Sequence, residues 1–534
     1  MSFASPFPDV EIPDTSLFEF LLGPVATDSA LASKVALVDG TTGAETTYRE
    51  LVTQIEALAG ALSATGFGKG DVAAVLCPNV PAFVTVFHAI LRSGGTATTI
   101  NSLYTAEEIA SQLTDSAASW LFTISAFLPQ ADSAASTVGI PSERVVVLDG
   151  APGRISLPDL LTQGHAAPDV TIDSHTDLAV LPYSSGTTGR AKGVMLTHRN
   201  LIANVAQGAA LIPLADDDKV LAVLPFFHIY GMSVLMNSGL WRRATIVTMP
   251  RFDLPEFLRI IAEQQITYVY IAPPVAVALA KHPIVGEFDT SSLKMVFSGA
   301  APLDAELGQK VAERLGCKVR QGYGMSEMSP VSHAIPGDRD DIPLGTVGLT
   351  IPNMECKIVD PATGDEVEYP ADATSAPGEL WCKGPNIMVG YLENPEATAA
   401  TLDDEGYLHT GDVATVSPEG YVSIVDRVKE LIKYKGYQVP PAELEALLLS
   451  NDKIADAACI GVNDADGEEV PKAFVVLQPG AELTEREVMD FVAAKVAPHK
   501  KVRVVEFLDA IPKSSSGKIL RKDLRAAERA KVAG

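Results

Sequence analysis

Cysteine is scarce in this 534-residue sequence, and its few copies lie far apart. There are five, and no two of them form a CxxC pair: Cys77, Cys317, Cys356, Cys382 and Cys459. This scattering argues against a disulfide framework and against a zinc site. Isolated thiols of this kind suit a reducing compartment, so we expect a cytoplasmic protein.

Basic residues are also few: 41 lysines and arginines stand against 67 aspartates and glutamates, which gives a net charge of −26. An acidic surface repels phosphate backbones, and this argues against a nucleic-acid-binding protein. The imbalance is uneven, because residues 429–534 contain 17 basic and 17 acidic side chains. The whole net negative charge therefore lies in residues 1–428, and the last fifth of the chain is predicted to be a separate module.

No apolar run has the length and continuity of a membrane span. Val72–Leu91 is interrupted by Pro78 and His88, and Ile266–Ala280 is too short and contains Pro273-Pro274. Both patterns favour a buried strand followed by a helix. The first residues lack the basic and apolar regions of a secretory signal, and the final Lys-Val-Ala-Gly does not match a peroxisomal address. We therefore expect a soluble protein.

Strand and helix patterns alternate through most of the chain, and this predicts an α/β fold. One helix is well marked, because Thr47 and Glu50 form a capping box ahead of an amphipathic segment. Prolines, glycines and short strand patterns indicate a β-rich subdomain at about 345–428. We expect a large N-terminal domain of helix-covered β-sheets over residues 1–428 and a small mobile C-terminal α/β domain over residues 429–534.

The most informative motif is the loop Tyr183-Ser-Ser-Gly-Thr-Thr-Gly-Arg-Ala-Lys-Gly193. Hydroxyl groups, two glycines and a lysine supply the donors, the close backbone approach and the counter-charge that a polyphosphate requires. The spacing is not that of a Walker A loop. Strand patterns lead in and out, and a helix begins only after Thr197, so the loop is predicted to be a hairpin tip. A solvated Ser/Thr/Gly hairpin is the alternative interpretation.

Two further motifs suggest the remainder of a nucleotide site. The segment Gln321-Gly-Tyr-Gly-Met-Ser-Glu327 follows a strand pattern. Tyr323 offers a stacking face for adenine, Ser326 can donate to a phosphate, and Glu327 can hold Mg²⁺ through one carboxylate. A glutamate at a helix start is otherwise often a surface charge that compensates the helix dipole. Asp412 can accept hydrogen bonds from both ribose hydroxyls, although a Gly-Asp pair alone is an ordinary turn.

Other motifs suggest a pocket for an organic acid. His228 stands between aromatic residues and glycine, which suits a pocket wall beside an aromatic carboxylate; alone it would more often be a satisfied core histidine. Ser298-Gly-Ala300 supplies small side chains where ligands pass close to the backbone, or it is a plain strand-to-helix turn. Lys518 lies on a Ser/Gly loop near the C-terminus, where a lysine without partners would ordinarily be solvated.

Taken together and in this order, the motifs resemble the adenylate-forming superfamily of acyl-CoA synthetases, peptide-synthetase adenylation domains and beetle luciferases. The similarity spans nearly the whole chain and is closest to the 4-coumarate:CoA ligase family. The resemblance implies that Lys518 is the adenylation lysine, and that His228 is a catalytic residue able to swing away and admit a thiol. The implied ATP- and AMP-binding residues are Ser184, Ser185, Gly186, Thr187, Thr188, Gly189, Lys192, Gln321, Gly322, Tyr323, Ser326, Asp412, Arg427 and Lys518.

The same resemblance implies sites for the acid, the thiol and the metal. The implied acyl-substrate residues are His228, Tyr230, Ala300, Gly322, Pro330, Val331, Lys429 and Lys433. Lys429 would be the hinge between the domains, and Lys433 would lie near the acyl adenylate. Arg251 would meet a CoA phosphate, Lys435-Gly436 would line the pantetheine entrance, and Glu327 would bind the metal.

One segment departs from the family pattern. Gly378-Glu-Leu-Trp-Cys-Lys-Gly384 stands where the plant ligases have Gly-Glu-Ile-Cys-Ile-Arg-Gly. Trp381 and the shifted cysteine do not match that box. The departure weakens a plant-type substrate assignment, but it does not affect the expected fold or reaction.

The resemblance implies an ATP-dependent carboxylate:CoA ligase that forms an acyl-AMP intermediate and then an acyl-CoA thioester. ATP, Mg²⁺ and coenzyme A would be required, and the expected acids are cinnamate and 4-coumarate. A medium- or long-chain fatty acyl-CoA synthetase is the alternative within the class. A nucleotide-binding sensor without turnover is the alternative from a different class, and a luciferase-like monooxygenase is more distant.

Overall fold

The computed structural model describes residues 2–184, 191–434, 437–464, 469–514 and 517–533. These residues form the following α-helices: α1 (Leu17–Leu22), α2 (Ser29–Ser33), α3 (Tyr48–Ala64), α4 (Pro81–Arg92), α5 (Ala106–Asp115), α6 (Leu128–Val138), α7 (Leu157–Leu161), α8 (His198–Ala209), α9 (Ser238–Trp241), α10 (Leu254–Gln264), α11 (Pro273–Lys281), α12 (Ala305–Leu315), α13 (Pro395–Ala399), α14 (Pro441–Leu449), α15 (Glu485–Ala493) and α16 (Arg521–Ala533).

The strands of the same residues are β1 (Phe3–Ala4), β2 (Val35–Asp39), β3 (Glu45–Thr47), β4 (Val72–Leu76), β5 (Thr96–Thr99), β6 (Ala118–Thr123), β7 (Val145–Val147), β8 (Leu178–Ser184), β9 (Lys192–Thr197), β10 (Lys219–Ala222), β11 (Thr245–Thr248), β12 (Tyr268–Ile271), β13 (Met295–Ser298), β14 (Lys318–Gly324), β15 (Val331–Ala334), β16 (Leu349–Thr350), β17 (Glu355–Val359), β18 (Gly378–Lys383), β19 (Gly390–Tyr391), β20 (Leu408–Val416), β21 (Val422–Arg427), β22 (Ile432–Tyr434), β23 (Tyr437–Val439), β24 (Ile454–Asn463), β25 (Glu469–Leu477) and β26 (Val504–Phe507). Together with the helices they confirm the α/β fold class.

Two large sheets form the body of the protein. The seven-stranded sheet has the order β19-β9-β8-β5-β4-β6-β7, and the nine-stranded sheet has the order β16-β15-β14-β13-β12-β10-β11-β2-β3. Their central strands are parallel, as in the pairing of β13 with β14. Parallel strands require crossover helices, which cover the faces of the sheet and bury the strands. Residues 73–76 and 295–298 are accordingly buried throughout.

The helices of the body begin where the sequence places their signals. Thr47 accepts the N–H of Glu50, and the Glu50 side chain bonds back to Thr47, so the predicted capping box starts α3. The two apolar stretches resolve into strand–helix units, β4 with α4 and β12 with α11. Among the described residues, no helix has the length and apolar character needed to cross a bilayer.

The β-rich region predicted at about 345–428 is less self-contained than the sequence pattern suggested. Its five-stranded sheet has the order β1-β17-β18-β20-β21, so the edge strand comes from Phe3–Ala4 at the start of the chain. The short strands β16 and β19 lie within the predicted range but pair into the two large sheets. Such short strands are set by their tertiary partners, which local sequence patterns do not encode.

The C-terminal part has its own sheets and core. Strands β24, β25 and β26 form one sheet and β22 pairs with β23, while α14 and α15 pack on them through buried apolar residues such as Leu444 and Val488. Inside this part Arg521 makes an ion pair with Glu445 at 2.7 Å, and both side chains are largely buried. A module with its own core can keep its shape when it moves relative to the body.

Candidate active site

The predicted phosphate loop connects two paired strands. Ser184 ends β8 and Lys192 begins β9, and these two residues are register partners in an antiparallel pair. Helix α8 begins after Thr197, which caps it. The hairpin prediction is therefore confirmed at both ends of the loop. The predicted phosphate-binding residues Ser185, Gly186, Thr187, Thr188 and Gly189 lie outside the described residues.

Lys192 and Glu327 are linked through a tyrosine that sequence reasoning missed. The Lys192 ammonium lies 4.4 Å from the centre of the Tyr391 ring. The Tyr391 hydroxyl donates a hydrogen bond of 2.8 Å to Oε1 of Glu327, whose side chain is buried. Burial raises the pKa of Tyr391 well above its ordinary range, and the nearby Glu327 carboxylate raises it further. The phenol therefore stays protonated and acts as a hydrogen-bond donor. A single Gly-Tyr pair gives too weak a signal to identify such a residue from sequence.

Tyr323 and Asp412 meet at the junction of two sheets. The Tyr323 hydroxyl donates a 2.6 Å hydrogen bond to Oδ2 of Asp412, and Nε of Arg427 lies 3.3 Å from Oδ1. Asp412 and Arg427 are register partners on β20 and β21. The three residues predicted for adenine and ribose are thereby brought together, and the hydrogen bonds hold the Asp412 carboxylate in one orientation.

Lys518 reaches this cluster from the C-terminal part of the chain. Burial and the nearby Arg427 guanidinium lower the pKa of the half-buried Lys518 ammonium, while the carboxylates of Asp412 and Glu327 act in the opposite direction. The preceding Gly517 packs against Ala272 and Pro274, at the junction of β12 and α11. The tail lysine therefore lies against the body of the protein, within the electrostatic reach of both predicted acidic ligands.

His228 is a neutral residue of the same site. Burial, with the charge of Lys518 as a second cause, lowers the pKa of His228 to about 3. Its Nδ1 accepts the backbone N–H of Tyr230 at 3.3 Å, so the ring proton is on Nε2. A neutral ring without net charge can change orientation beside an ammonium group more easily than an imidazolium, which suits the gating role better than a role as a charged acid.

Tyr230, one of the predicted acyl residues, begins a π-helix, Tyr230–Asn237. The Tyr230 hydroxyl donates to the carbonyl of Phe297, and the Tyr230 ring lies so close to Gly299 that a Cβ there would stand 2.8 Å from ring atoms. Ala300 has a φ of 71°, a left-handed conformation that non-glycine residues seldom adopt. Strain of this kind persists only where the surroundings impose it, often at binding sites.

Pro330 and Val331 lie opposite the Gln321–Glu327 segment. Gly324 pairs with Val331, and a Cβ on Gly324 would stand 2.0 Å from the Pro330 carbonyl, so this approach requires glycine. Gly322, the other glycine of the motif, also lies on this hairpin, opposite Ala334.

One expectation about the Gln321–Glu327 segment needs correction. Gln321 through Gly324 do not follow the strand but form its last part, because β14 continues into an antiparallel pair with β15. The Gln321 side chain exchanges hydrogen bonds with the main chain of Leu303 and also donates to Leu344. The oxygen and the NH2 group of its side-chain amide are both hydrogen-bonded in this way, so the amide supports the neighbouring loop. Ser326 and Glu327 begin a short 3₁₀ turn.

The residues predicted for the hinge and for CoA binding lie away from the buried cluster around Asp412 and Glu327. Lys429 stands exposed in the turn after β21, and Lys433 is exposed on β22. Arg251 is exposed after β11. Lys435 and Gly436 are outside the described residues. In this arrangement Lys433 points to solvent, so the structure does not bring it to the cluster around Lys518.

The structure also explains the departure at Gly378–Gly384. Trp381 stacks on His409 with ring centres 3.5 Å apart, while Cys382 faces the interior beside Cys356, its partner across β17 and β18. All five cysteines are free thiols. The changed residues therefore pack the five-stranded sheet, where Trp381 contacts His409, three residues before Asp412.

The chain is similar to known proteins over its full length. The AMP-binding enzyme family matches residues 27–392, and its C-terminal domain matches residues 443–518. A 4-coumarate–CoA ligase 5 from Oryza sativa is 41% identical over 98% of this chain and 97% of its own. A probable 4-coumarate–CoA ligase 1 from Dictyostelium discoideum is 38% identical with the same coverage. This chain belongs to the AMP-binding enzyme family.

Solved structures agree with that membership. The anthranilate CoA ligase AuaEII in complex with anthranoyl-AMP superimposes with a TM-score of 0.90 and 26% identity, covering 98% of this chain and 99% of that one. ATP-bound MatB from Rhodopseudomonas palustris gives a TM-score of 0.86 and 30% identity, covering 96% and 99%. The fold is therefore that of adenylate-forming CoA ligases, with a large N-terminal and a small C-terminal domain.

Proposed function

We propose that this chain joins a carboxylic acid to coenzyme A with ATP, as an AMP-forming acid–thiol ligase, and that its acids are of the cinnamate and 4-coumarate type. One observation supports this above the others: Lys518, more than 90 residues along the chain from Arg427, shares one electrostatic site with Arg427, Asp412 and Glu327. The relatives named 4-coumarate–CoA ligase support the choice of acid.

The first half-reaction activates the acid. An oxygen of the carboxylate attacks the α-phosphorus of ATP, a new P–O bond forms, and the bond to the leaving pyrophosphate breaks. The ammonium of Lys518 would bridge the carboxylate and the α-phosphate, and it would stabilise the negative charge that builds up in the transition state. Asp412 would accept the ribose hydroxyls, Tyr323 would flank the adenine, and Lys192 would meet the outer phosphates.

Mg²⁺ fits the residues present. Glu327 offers a buried carboxylate of which Oε1 already accepts one hydrogen bond, and oxygen ligands are those that Mg²⁺ prefers. Among the described residues, no group of three His, Cys, Asp or Glu side chains forms a complete metal site. Glu327 would therefore hold the ion together with phosphate oxygens and water. When bound, the ion neutralises phosphate charge.

The second half-reaction transfers the acyl group. The thiol sulfur of CoA attacks the carbonyl carbon, its proton passes to water, a C–S bond forms, and the C–O bond to AMP breaks. Because Lys518 lies near Asp412 and Glu327, we propose that the C-terminal domain moves before the thiol enters. We propose the domain boundaries 1–428 and 429–534, with Lys429 as the hinge, Lys433 brought toward the adenylate, and Arg251, Lys435 and Gly436 at the CoA entrance.

We also propose the class of acid that the pocket accepts and the cellular location of the protein. The pocket that we propose for Tyr230, Ala300, Gly322, Pro330 and Val331 would be aromatic and apolar, which suits a phenylpropanoid acid. A cytoplasmic location agrees with the five free thiols.

The test is CoA-dependent release of AMP with cinnamate, 4-coumarate, benzoate, octanoate and palmitate, alongside acid-dependent exchange of pyrophosphate into ATP. We expect both activities with cinnamate and 4-coumarate. Preference for octanoate or palmitate would instead assign a fatty acyl-CoA synthetase. ATP binding without exchange for any acid would leave a nucleotide sensor as the function.

A further inference from the structure

Two of the five thiols face each other inside the five-stranded sheet. Cys356 on β17 and Cys382 on β18 are register partners, and their sulfur atoms lie 3.5 Å apart. Residues directly opposite in an antiparallel pair have Cα atoms about 4.5–5.5 Å apart, which lies within the range that disulfides span. A bond between these two sulfurs would therefore need a change of side-chain rotamers but no rearrangement of the strands.

The pair depends on the position at which this chain departs from the plant-ligase box. In that box the cysteine follows Gly-Glu-Ile, the place that Trp381 takes here. Side chains alternate between the two faces of a strand, so a cysteine at 381 would point to the face on which Trp381 stacks with His409. The shift of one residue places Cys382 on the opposite face, beside Cys356 in the interior. A sequence with the plant box would not form this pair.

A buried histidine lies against the two thiols. Nε2 of His333 is 3.9 Å from Sγ of Cys356. Burial alone would raise the pKa of Cys356, but the hydrogen bond with Cys382, together with the charge and the hydrogen bond of His333, lowers that pKa below its ordinary range. Burial and the neighbouring Cys356 raise the pKa of Cys382. One thiolate beside one thiol is a state from which a disulfide forms readily, because the thiolate is the nucleophile.

Contacts link the two thiols to the residues proposed for adenine and ribose. The His333 ring centre lies 6.1 Å from that of Tyr323, whose hydroxyl donates to Asp412. Strand β18 also pairs with β20, which carries Asp412, and the Thr410 hydroxyl of β20 donates to the Leu380 carbonyl at 2.6 Å. A bond that draws the two sulfurs together would therefore act on both supports of the Asp412 carboxylate.

We propose that Cys356 and Cys382 are an oxidation site, a dithiol that hydrogen peroxide converts to an intrachain disulfide, and that this disulfide weakens the binding of ATP. The effect on ATP rests on the proposed function. The Cys356 thiolate attacks one oxygen of the peroxide, the O–O bond breaks, and a sulfenic acid forms with release of water. The Cys382 sulfur then attacks the sulfenic sulfur, an S–S bond forms and a second water leaves. The two thiols lose two protons and two electrons, and the peroxide is reduced to water.

Oxidation at this site requires local opening, because both sulfurs are buried. The edge strand β1 pairs with β17 over two register positions, and one of them joins Phe3 to Cys356. So short an edge strand separates at a small cost in free energy compared with unfolding of the whole sheet. We therefore expect slow oxidation. Disulfides in a reducing compartment are usually transient and redox-sensing, and a disulfide that forms only under peroxide agrees with this pattern.

Peptide mapping after oxidation identifies the bond, and ATP titration measures its effect. The protein is treated with hydrogen peroxide, the remaining thiols are alkylated, and the digest is searched for a linkage between Cys356 and Cys382 that dithiothreitol removes. The dissociation constant for ATP, measured by calorimetry, should rise by about fivefold or more on oxidation, the lower end of ordinary coupling between sites, and return on reduction. By the same linkage, saturating ATP should disfavour the disulfide in a glutathione redox buffer.

Variants locate the effect. Cys382→Ala and, separately, Cys356→Ala should bind ATP as the reduced protein does, and peroxide should no longer cause a reversible loss of affinity. Cys459→Ala, which removes a buried thiol of the C-terminal part, is the matched control and should respond to peroxide like the unaltered protein.

Three results would overturn the proposal. They are the absence of the linkage after peroxide treatment, an equal ATP affinity of the oxidised and the reduced protein, and a reversible loss of affinity that persists in both alanine variants. The first two concern the unaltered protein, so they decide the proposal even if a variant does not fold.

The outcome is separable from the proposed function. If the linkage forms but the reduced protein neither binds ATP nor supports pyrophosphate exchange, the oxidation site stands and the ligase activity fails. If cinnamate and 4-coumarate are converted to thioesters but peroxide produces no linkage, the ligase activity stands and the oxidation site fails.

Discussion

The body, residues 1–428, and the C-terminal module, residues 429–534, differ in net charge and in the size of their cores. The body carries the whole net charge of −26 and buries two large sheets, whereas the module is neutral and has a small core of its own. The contacts seen between them are polar or small: Lys281 donates to the carbonyls of Leu449 and Ile454, and Gly517 rests on Ala272 and Pro274. Because each part keeps its own core, the two can separate without exposing either one. This difference supports the proposal of a movable module that carries Lys518 into an acidic site.

The strongest test of that division removes the lysine that the module contributes. Lys518→Ala should reduce acid-dependent pyrophosphate exchange by about a thousandfold, because a preorganised charge is lost from the transition state. Thioester formation from preformed acyl-AMP should be spared. Lys522→Ala, on the exposed face of α16, is the matched control and should leave both half-reactions unchanged. Equal loss of both half-reactions in Lys518→Ala would contradict the hinged scheme.

The body's own contribution is tested at Glu327. Glu327→Gln keeps the size and the acceptor for Tyr391 but removes the charge, so adenylation should fall by about a hundredfold and require more Mg²⁺. Tyr391→Phe, which removes only the hydrogen bond to Glu327, should have a smaller effect of the same kind. The measurement is pyrophosphate exchange over a series of Mg²⁺ concentrations. An unchanged Mg²⁺ dependence in Glu327→Gln would exclude it as the ligand.

The pH dependence of adenylation tests the charge that Lys518 brings from the module. Lys518 acts as a cation and its pKa is lowered by burial, so kcat/KM for ATP should fall as pH rises, beginning below the ordinary lysine pKa of about 10.4. His228, with a pKa of about 3, should add no limb near neutrality. Lys518→Arg should move the alkaline limb upward despite a lower rate. If the alkaline limb of kcat/KM stays at the same pH in Lys518→Arg, the group that titrates is not Lys518.

Weakening the contact between the body and the C-terminal module should have the smallest effect on adenylation. Lys281→Ala removes two hydrogen bonds that hold α11 to the module, so the arrangement with Lys518 in the site should be less populated. We expect adenylation to slow by about threefold to tenfold, while thioester formation from acyl-AMP is unchanged or faster. Lys34→Ala, which removes a surface ion pair with Asp216 within the body, serves as the control. Equal slowing of both half-reactions would mean that Lys281 is only structural.

Local signals identified much of the fold. The capping box at Thr47 and Glu50, the hairpin ends at Ser184 and Lys192, and the helix after Thr197 all lie where the sequence predicts them. These features depend on residues within a few positions of one another, so they can be read from one segment. Within the predicted β-rich region, β17, β18, β20 and β21 form one sheet, but local signals did not predict that β1 joins it from the N-terminus or that β16 and β19 pair with other sheets.

The order of motifs by itself determined the family, the class of reaction and the residues Lys518, Asp412 and Glu327 as candidates, since each carries a chemical group that the reaction requires. Only the tertiary structure decided which groups meet. It engaged the Gln321 amide with Leu303 and linked Lys192 to Glu327 through Tyr391. The reason is physical: the chemistry of a side chain is local, but its neighbours, its desolvation and its charge partners come from segments that are distant in sequence.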